Sequence, residues 1–377
     1  MGNGERYFSA PGRVELGGNH TDHQHGRVMA AAVALETSAA VVPNGLSIVR
    51  LRSDGFPPLE VDLSSLDPRP EERGTSAAII RGVAAWFRKN GYAVGGFDAV
   101  VSSVIPVGAG LSSSAAFEVL IGNILKELFG SDVSRIGIAK AGQYAENVYF
   151  GKPSGLMDQA ASSFGGLNII DFSDPENPVV TPVEADFSGC SLCVVDTGGS
   201  HADLTPDYAA VTEEMKAVAS HFGRNRLGEL PAEEYYSSIG GLRYLGDRAV
   251  LRAFHFFGEN ERVLKQAAAL ERKDINGFFE LVIESGLSSL AYLQNVYSIS
   301  DPQNQGLSLA LALSAKILEG RGAWRVHGGG FAGTILAFVP DDLKNTYRSQ
   351  MNELFGENCC RFLNIRKNGG GEVQLRG

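Results

Sequence analysis

Hydrophobic positions along the chain change their period at a few glycine-rich breaks, and those changes predict its elements. From Phe97 to Ile105 the sequence is rich in valine, with Gly95-Gly96 before it and Pro106 after it, which predicts a strand. Phe117, Leu120, Ile121, Ile124, Leu125 and Leu128 then recur at helical spacing on one face, and Gly130 stands just past the last of them as a stop signal. Val107 to Ser114 is therefore a strand-to-helix connection. A second helix is expected from about Ser134 to Tyr149, a break over Gly151-Lys152-Pro153-Ser154-Gly155, and a strand from Leu167 to Phe172. The turn-rich stretch Ser173 to Pro178, with two prolines and an Asp-Pro step, marks a domain junction. Beyond it come a strand at Ser191 to Asp196, helices between Asp207 and Leu318, a glycine loop and a strand at Thr334 to Val339. Strands and helices alternate in both halves, so the expected fold class is α+β, with domains over 1–178 and 179–377. No repeat period of the solenoid or propeller kind is present.

Length agrees with two cores, since 377 residues are two to three times the commonest domain size of about 100 to 150. With 44% hydrophobic residues the chain is not of the disordered class. Its 33 basic and 43 acidic side chains give a net charge of −10, and no basic patch offsets it, so neither nucleic acid nor an anionic membrane is an expected partner. No obligatory protein partner is indicated either. The start lacks a secretory pattern and no apolar run reaches the roughly 18 to 20 residues that span a bilayer, which points to the cytoplasm. Four cysteines, Cys190 and Cys193 as CxxC and Cys359-Cys360 adjacent, lack the spacing of a zinc site and read as buried, idle thiols.

Four strings carry chemistry. Pro106 to Ala116 is a glycine loop feeding a helix whose first turn holds three hydroxyls. Unpaired N–H groups and the helix dipole make such a start an anion site, and glycines let the backbone close on a phosphate. Gly108, Ala109, Gly110, Leu111, Ser112, Ser113 and Ser114 are its candidate nucleotide residues. The lysine of the common P-loop is absent from this loop, so loop, dipole and metal must hold any nucleotide. Ala10 to His23 brings together Arg13, Asn19, His20, Thr21, Asp22 and His23, with His25 close behind. Their spacing matches no metal-ligand motif, and they read better as donors and acceptors able to grip vicinal hydroxyls. Glu146 and Asp158 are two carboxylates able to divide into a magnesium ligand and a general base, although spacing alone also fits solvated surface acids. Arg325 to Thr334 is a second glycine loop before an apolar strand. It reads either as a tight turn or as backbone approaching a substrate.

Taken together and in this order, these strings resemble the GHMP family of small-molecule kinases and, within it, the galactokinase branch. Gly12-Arg13-Val14 through His20-Thr21-Asp22 is similar to the sugar signature, Gly108 to Ala116 to the phosphate motif, Gly328 to Gly333 to the third motif, and Asp158 to the aspartate of the branch's GIMDQ string. Arg252 to His255 and Glu259 to Arg262 are similar to helix segments of the same branch. The resemblance implies an N-terminal domain of the ribosomal-protein-S5 type, a ferredoxin-like C-terminal domain, and a sugar and ATP site between them. It implies ATP-dependent phosphorylation of the anomeric hydroxyl of galactose, with Asp158 taking the proton and Arg13 beside it. By the same resemblance Ser114 and Glu146 hold Mg²⁺, and Asn19, His20, Asp22, Tyr208 and Gly329 face the sugar.

The chain departs from the pattern at Asn19, where the signature has glutamate, at His23, where it has tyrosine, at Ser76, where a tryptophan often lies under the adenine, and at Ala209 to Thr212, where arginines are usual. A neutral Asn19 admits galacturonate as an alternative substrate, because it removes an anion that would repel a C6 carboxylate. A non-catalytic sugar sensor on the same scaffold is a further class, disfavoured by the intact phosphate string and by Asp158.

Overall fold

In a computed structural model that describes residues 4–106, 108–199 and 204–374, strands and helices alternate along the whole chain. Val107 of the expected loop and the first three residues lie outside that set. The strands are β1 (Arg6–Gly17), β2 (Arg27–Pro43), β3 (Ile48–Ser53), β4 (Leu59–Asp62), β5 (Phe97–Ser103), β6 (Leu167–Asp171), β7 (Val179–Pro182), β8 (Cys190–Asp196), β9 (Ala323–His327), β10 (Thr334–Pro340), β11 (Cys360–Leu363) and β12 (Gly371–Val373). The helices are α1 (Ser76–Lys89), α2 (Ser113–Leu128), α3 (Arg135–Tyr144), α4 (Met157–Phe164), α5 (Thr205–His221), α6 (Ala232–Leu242), α7 (Asp247–Glu271), α8 (Ile275–Ser288), α9 (Gly306–Leu318) and α10 (Lys344–Phe355). The α+β expectation holds. No helix among the described residues is long and apolar enough to cross a membrane.

Two compact units divide the chain, and neither is continuous. The first takes residues 1–13, 31–166 and 365–377; the second takes 14–30 and 167–364.

In the first unit the strands run in the order β12-β1-β2-β5-β3-β4. Along β5, Phe97, Ala99 and Val101 are buried while Asp98, Val100 and Ser102 are exposed, the period-two pattern of a sheet covered on one face. Ile79, Ile80, Val83 and Phe87 of α1 and Leu120, Ile121 and Ile124 of α2 complete that core. Helix α3 starts where the sequence places it, because the Ser134 hydroxyl caps it by accepting from the Gly137 N–H at 3.2 Å. Its expected last turn is instead a π-helical turn, Ala145–Phe150, closed by Gly151 at φ 87°. That single wide turn carries Glu146.

The second unit is built on the antiparallel sheet β11-β8-β10-β9. All seven residues of β10 are buried, as befits a strand paired on both sides, from Thr334 opposite Asp196 to Pro340 opposite Cys190, and from Thr334 opposite His327 to Phe338 opposite Ala323. Cys193 and Cys359 lie in the same apolar cluster as Leu307, Ile335, Tyr347 and Met351, and Cys360 packs against it. Cys193 of the CxxC thus meets the adjacent pair Cys359-Cys360 in one cluster, while Cys190 is half-buried outside it.

Candidate active site

The chemistry of the first unit begins at the loop between β5 and α2. Gly108 (φ 79°) and Gly110 (φ 70°) take left-handed backbone, and Ser112 does so as well (φ 56°), a conformation that costs a residue with a Cβ about 1 kcal/mol or more. Ala109 and Leu111 are buried and anchor the loop, so at these two positions only the backbone remains for a ligand. No side chain caps α2 at Ser112, which leaves the first-turn N–H groups and the positive end of the dipole for an anion. Strand β1 lies against this loop: the Arg13 N–H donates to the Leu111 carbonyl at 3.0 Å, and a Cβ at Gly12 would stand 2.8 Å from that oxygen.

From there the Arg13 side chain, buried at 7% exposure, grips Asp158 at the start of α4 through two parallel bonds, Nε to Oδ1 at 2.7 Å and Nη2 to Oδ2 at 2.6 Å. Its remaining nitrogen donates to the Gly110 carbonyl. Burial alone would raise the Asp158 pKa, but the charge and hydrogen bonds of Arg13, the hydroxyl of Ser112 and the charge of Lys152 outweigh it and hold the carboxyl below its ordinary value. The Asp158 side chain keeps 29% exposure, so a substrate hydroxyl can still reach it.

Glu146 is buried beside this pair. Its Oε1 accepts from the Lys152 ammonium and its Oε2 from the Gln159 amide, each at 3.0 Å. The same Gln159 nitrogen donates to Glu118 Oε2 at 2.9 Å. Glu118, Glu146 and Gln159 are all buried, and burial followed by the charge of Glu146 pushes the Glu118 carboxyl well above its usual range. Ser114 stands exposed at the second position of α2 and is not among the partners of Glu146. Sequence reasoning missed Glu118, Gln159 and Lys152 as parts of this cluster. Gln159 follows Asp158 directly, and Glu118 lies one helical turn beyond Ser114, so both carried a local signal.

In the second unit, Asn19, His20, Tyr208 and the loop Gly328 to Gly330 come together. Tyr208 donates to the Gly330 carbonyl at 2.9 Å and packs edge-on against Phe331, with ring centroids 5.3 Å apart. A Cβ on Gly329 would stand 2.6 Å from the Tyr208 ring, which is why that position must be glycine. Burial, then the charge of Asp207, pushes the Tyr208 phenol up to about 12. His20, at φ 57°, reaches the Gly329 carbonyl with Nε2 at 2.9 Å and His23 with Nδ1 at 3.2 Å. His23 therefore orients His20, and burial followed by the charge of His20 pulls its own pKa down to about 3. Asp22 is half-buried in the short turn Asp22–Gln24.

Asn19 is placed otherwise than the resemblance implies. It is 1% exposed, its two N–H groups donate to Glu15 Oε1 (3.0 Å) and to the Gly328 carbonyl (2.7 Å), and its Oδ1 accepts from Asn295 (2.8 Å) and Ser289 (3.4 Å). Two donors and two lone pairs are thereby filled from within the unit. Its side chain holds the glycine loop and has no spare donor for a sugar carboxylate.

The chain is similar to known proteins. Residues 78–166 match the family model of the GHMP kinases N terminal domain, and residues 1–43 match the galactokinase galactose-binding signature. The chain is 30% identical over 360 residues to a galactokinase of Bacillus subtilis (strain 168), covering 94% of this chain and 90% of that protein. It is 32% identical over 340 residues to a galactokinase of Streptomyces coelicolor, covering 89% and 84%. Among solved structures, Lactococcus lactis galactokinase complexed with galactose superposes with a TM-score of 0.83 at 26% identity, over 99% of this chain and 96% of that one. The mevalonate kinase of Methanococcus jannaschii, at 14% identity over 97% and 99%, shares the fold with a TM-score of 0.69.

Proposed function

The chain belongs to the galactokinase family of the GHMP kinases, and from that premise we propose that it transfers the terminal phosphoryl group of ATP to the anomeric hydroxyl of galactose, giving galactose 1-phosphate. The observation that carries the reading is the two-bond clasp of Arg13 on Asp158, tied to the Gly110 carbonyl of the phosphate-type loop. It sets an ionised carboxylate and a fixed cation beside an open helix start.

Asp158 accepts the hydrogen bond of the attacking hydroxyl and receives its proton as the new P–O bond forms. A carboxylate whose pKa is held low is a weak base, so its main work is to aim the oxygen, and the proton moves late, as suits a loose transition state. Arg13 keeps Asp158 ionised and aligned. The first-turn N–H groups of α2 receive the phosphate oxygens without reorganising.

Glu146 fits a magnesium ion, because its Oε1 already faces a cation, the Lys152 ammonium, and a carboxylate oxygen is the donor that Mg²⁺ takes. Glu146 and Ser114 would hold the ion, which when bound neutralises charge on the phosphate oxygens. His20, Asp22, Tyr208 and Gly329 of the second unit are the proposed sugar-recognition residues.

Galacturonate is not favoured: the relatives of this chain are galactokinases, and the Asn19 amide, taken by Glu15 and Gly328, offers a C6 carboxylate no donor. ADP release from ATP and magnesium, with galactose and galacturonate compared side by side, is the test. Turnover with galactose at least tenfold above that with galacturonate supports the reading, and turnover with neither sugar overturns it.

A further inference from the structure

The string Gly151-Lys152-Pro153 reads in the sequence only as a break after a helix, yet the structure returns Lys152 to the carboxylate cluster. The N–H groups of Gly151 and Lys152 both donate to the Glu146 carbonyl, at 3.0 and 3.1 Å, so the backbone of Lys152 is pinned to the turn that carries Glu146. Its ammonium then folds back onto the Oε1 of the same residue at 3.0 Å. The two side chains differ in freedom: that of Lys152 is 63% exposed and that of Glu146 is 5% exposed. One can swing away and the other cannot.

The surroundings supply a reason to swing. Glu118 and Asp158 also act on the Lys152 charge, and Asp158 is bonded to Ser112 and, through Arg13, tied to Gly110 of the glycine loop. The ammonium is thus within electrostatic reach of Asp158, the carboxylate tied to the glycine loop through Arg13. That loop lacks the lysine that reaches the phosphates in the common P-loop. A divalent cation and an ammonium repel when they share one carboxylate oxygen, and a lysine on a flexible four-carbon stem moves to the nearest uncompensated anion.

We propose that Lys152 is a nucleotide-binding residue whose ammonium rests on Glu146 Oε1 and turns to a phosphate oxygen of the nucleotide when a divalent cation takes that carboxylate. This rests on the reading of Glu146 as a magnesium ligand. Lys152 then has two separable effects: it competes with the metal before binding and holds the phosphates afterwards.

The experiment is a calorimetric titration of full-length wild type, Lys152→Met, Lys152→Arg and Glu146→Gln with ADP, at saturating magnesium and across a magnesium series, after circular dichroism has checked the fold of each. At saturating magnesium, Lys152→Met should bind ADP about tenfold more weakly, the loss of one charge-assisted bond, and Lys152→Arg should stay within about threefold of wild type. The magnesium concentration giving half-maximal ADP binding should fall at least about threefold in Lys152→Met, because the competitor for Oε1 has gone. If either quantity in Lys152→Met stays within about twofold of wild type, the proposal is overturned. Should Lys152→Met fail to fold, a Lys152→Gln variant is read by the same two quantities and the same limits. Glu146→Gln tests the premise separately: it should raise the magnesium requirement, and an unchanged requirement there removes the metal reading itself, whatever Lys152 does.

Discussion

Glu15 and Arg325 form an ion pair of 2.7 Å in which the arginine is fully buried and the glutamate is 3% exposed. The same glutamate accepts from Asn19, so the pair braces the second unit's glycine loop through a residue that itself holds the Gly328 carbonyl. Removing one partner leaves a buried charge without its counter-charge. Arg325→Met should therefore destabilise the protein by about 3 to 5 kcal/mol, whereas the double change with Glu15→Gln should cost less than the sum of the two single changes. Denaturant unfolding of the three variants measures this.

Asp158→Asn is expected to leave a folded protein whose kcat falls by roughly 10² to 10⁴, because the amide supplies neither the charged acceptor that aims the hydroxyl nor a base for its proton. The acid side of the pH profile adds a signed test. Asp158 is held below its ordinary pKa, so the wild type should keep its activity as pH falls through the usual carboxylate range. In Arg13→Ala only the Ser112 hydroxyl and the Lys152 charge remain against burial and the Asp158 pKa rises, which should move the acid limb of kcat/KM toward neutral pH. An acid limb at the same pH in both proteins would show that Arg13 does not set the charge of Asp158.

Glu118 titrates the other way. Its folded pKa lies well above the unfolded value, so the native state holds a proton that the unfolded chain gives up, and stability falls as pH rises from the unfolded pKa toward the folded one. Glu118→Gln mimics the protonated acid. It should fold, and it should gain on wild type by up to about 1.4 kcal/mol per pH unit across that window. Melting temperatures from pH 4 to pH 8 decide it: a gap that stays constant with pH would mean that Glu118 is ionised throughout.

Asn19→Glu changes stability rather than sugar preference. The new carboxylate would face Glu15 and lose the donors that Glu15 and Gly328 now accept from, so a loss of about 2 to 4 kcal/mol is expected. The galactose to galacturonate ratio of kcat/KM in the remaining folded protein should move by less than tenfold. A stable variant with an inverted ratio would place Asn19 against the sugar after all.

How much of this was written locally is plain from individual residues. The valine-rich strand at Phe97, the stripe from Phe117 to Leu128 and the stop at Gly130 are short-range facts, because a period of two or 3.6 residues and the left-handed freedom of glycine operate within one element. The helix start near Ser134 and the break at Gly151 were legible for the same reason. The identities of Arg13, Asp158 and the glycine loop followed from strings whose order resembles a known family. What the tertiary structure alone decided is who touches whom at long range: Glu15 with Arg325, Asn19 with Asn295, Glu118 with Gln159, and an unremarked Lys152 with the buried Glu146. A carboxylate in a sequence window looks solvated, and only burial changes its energy. Burial is a property of the assembled packing, which no local window contains.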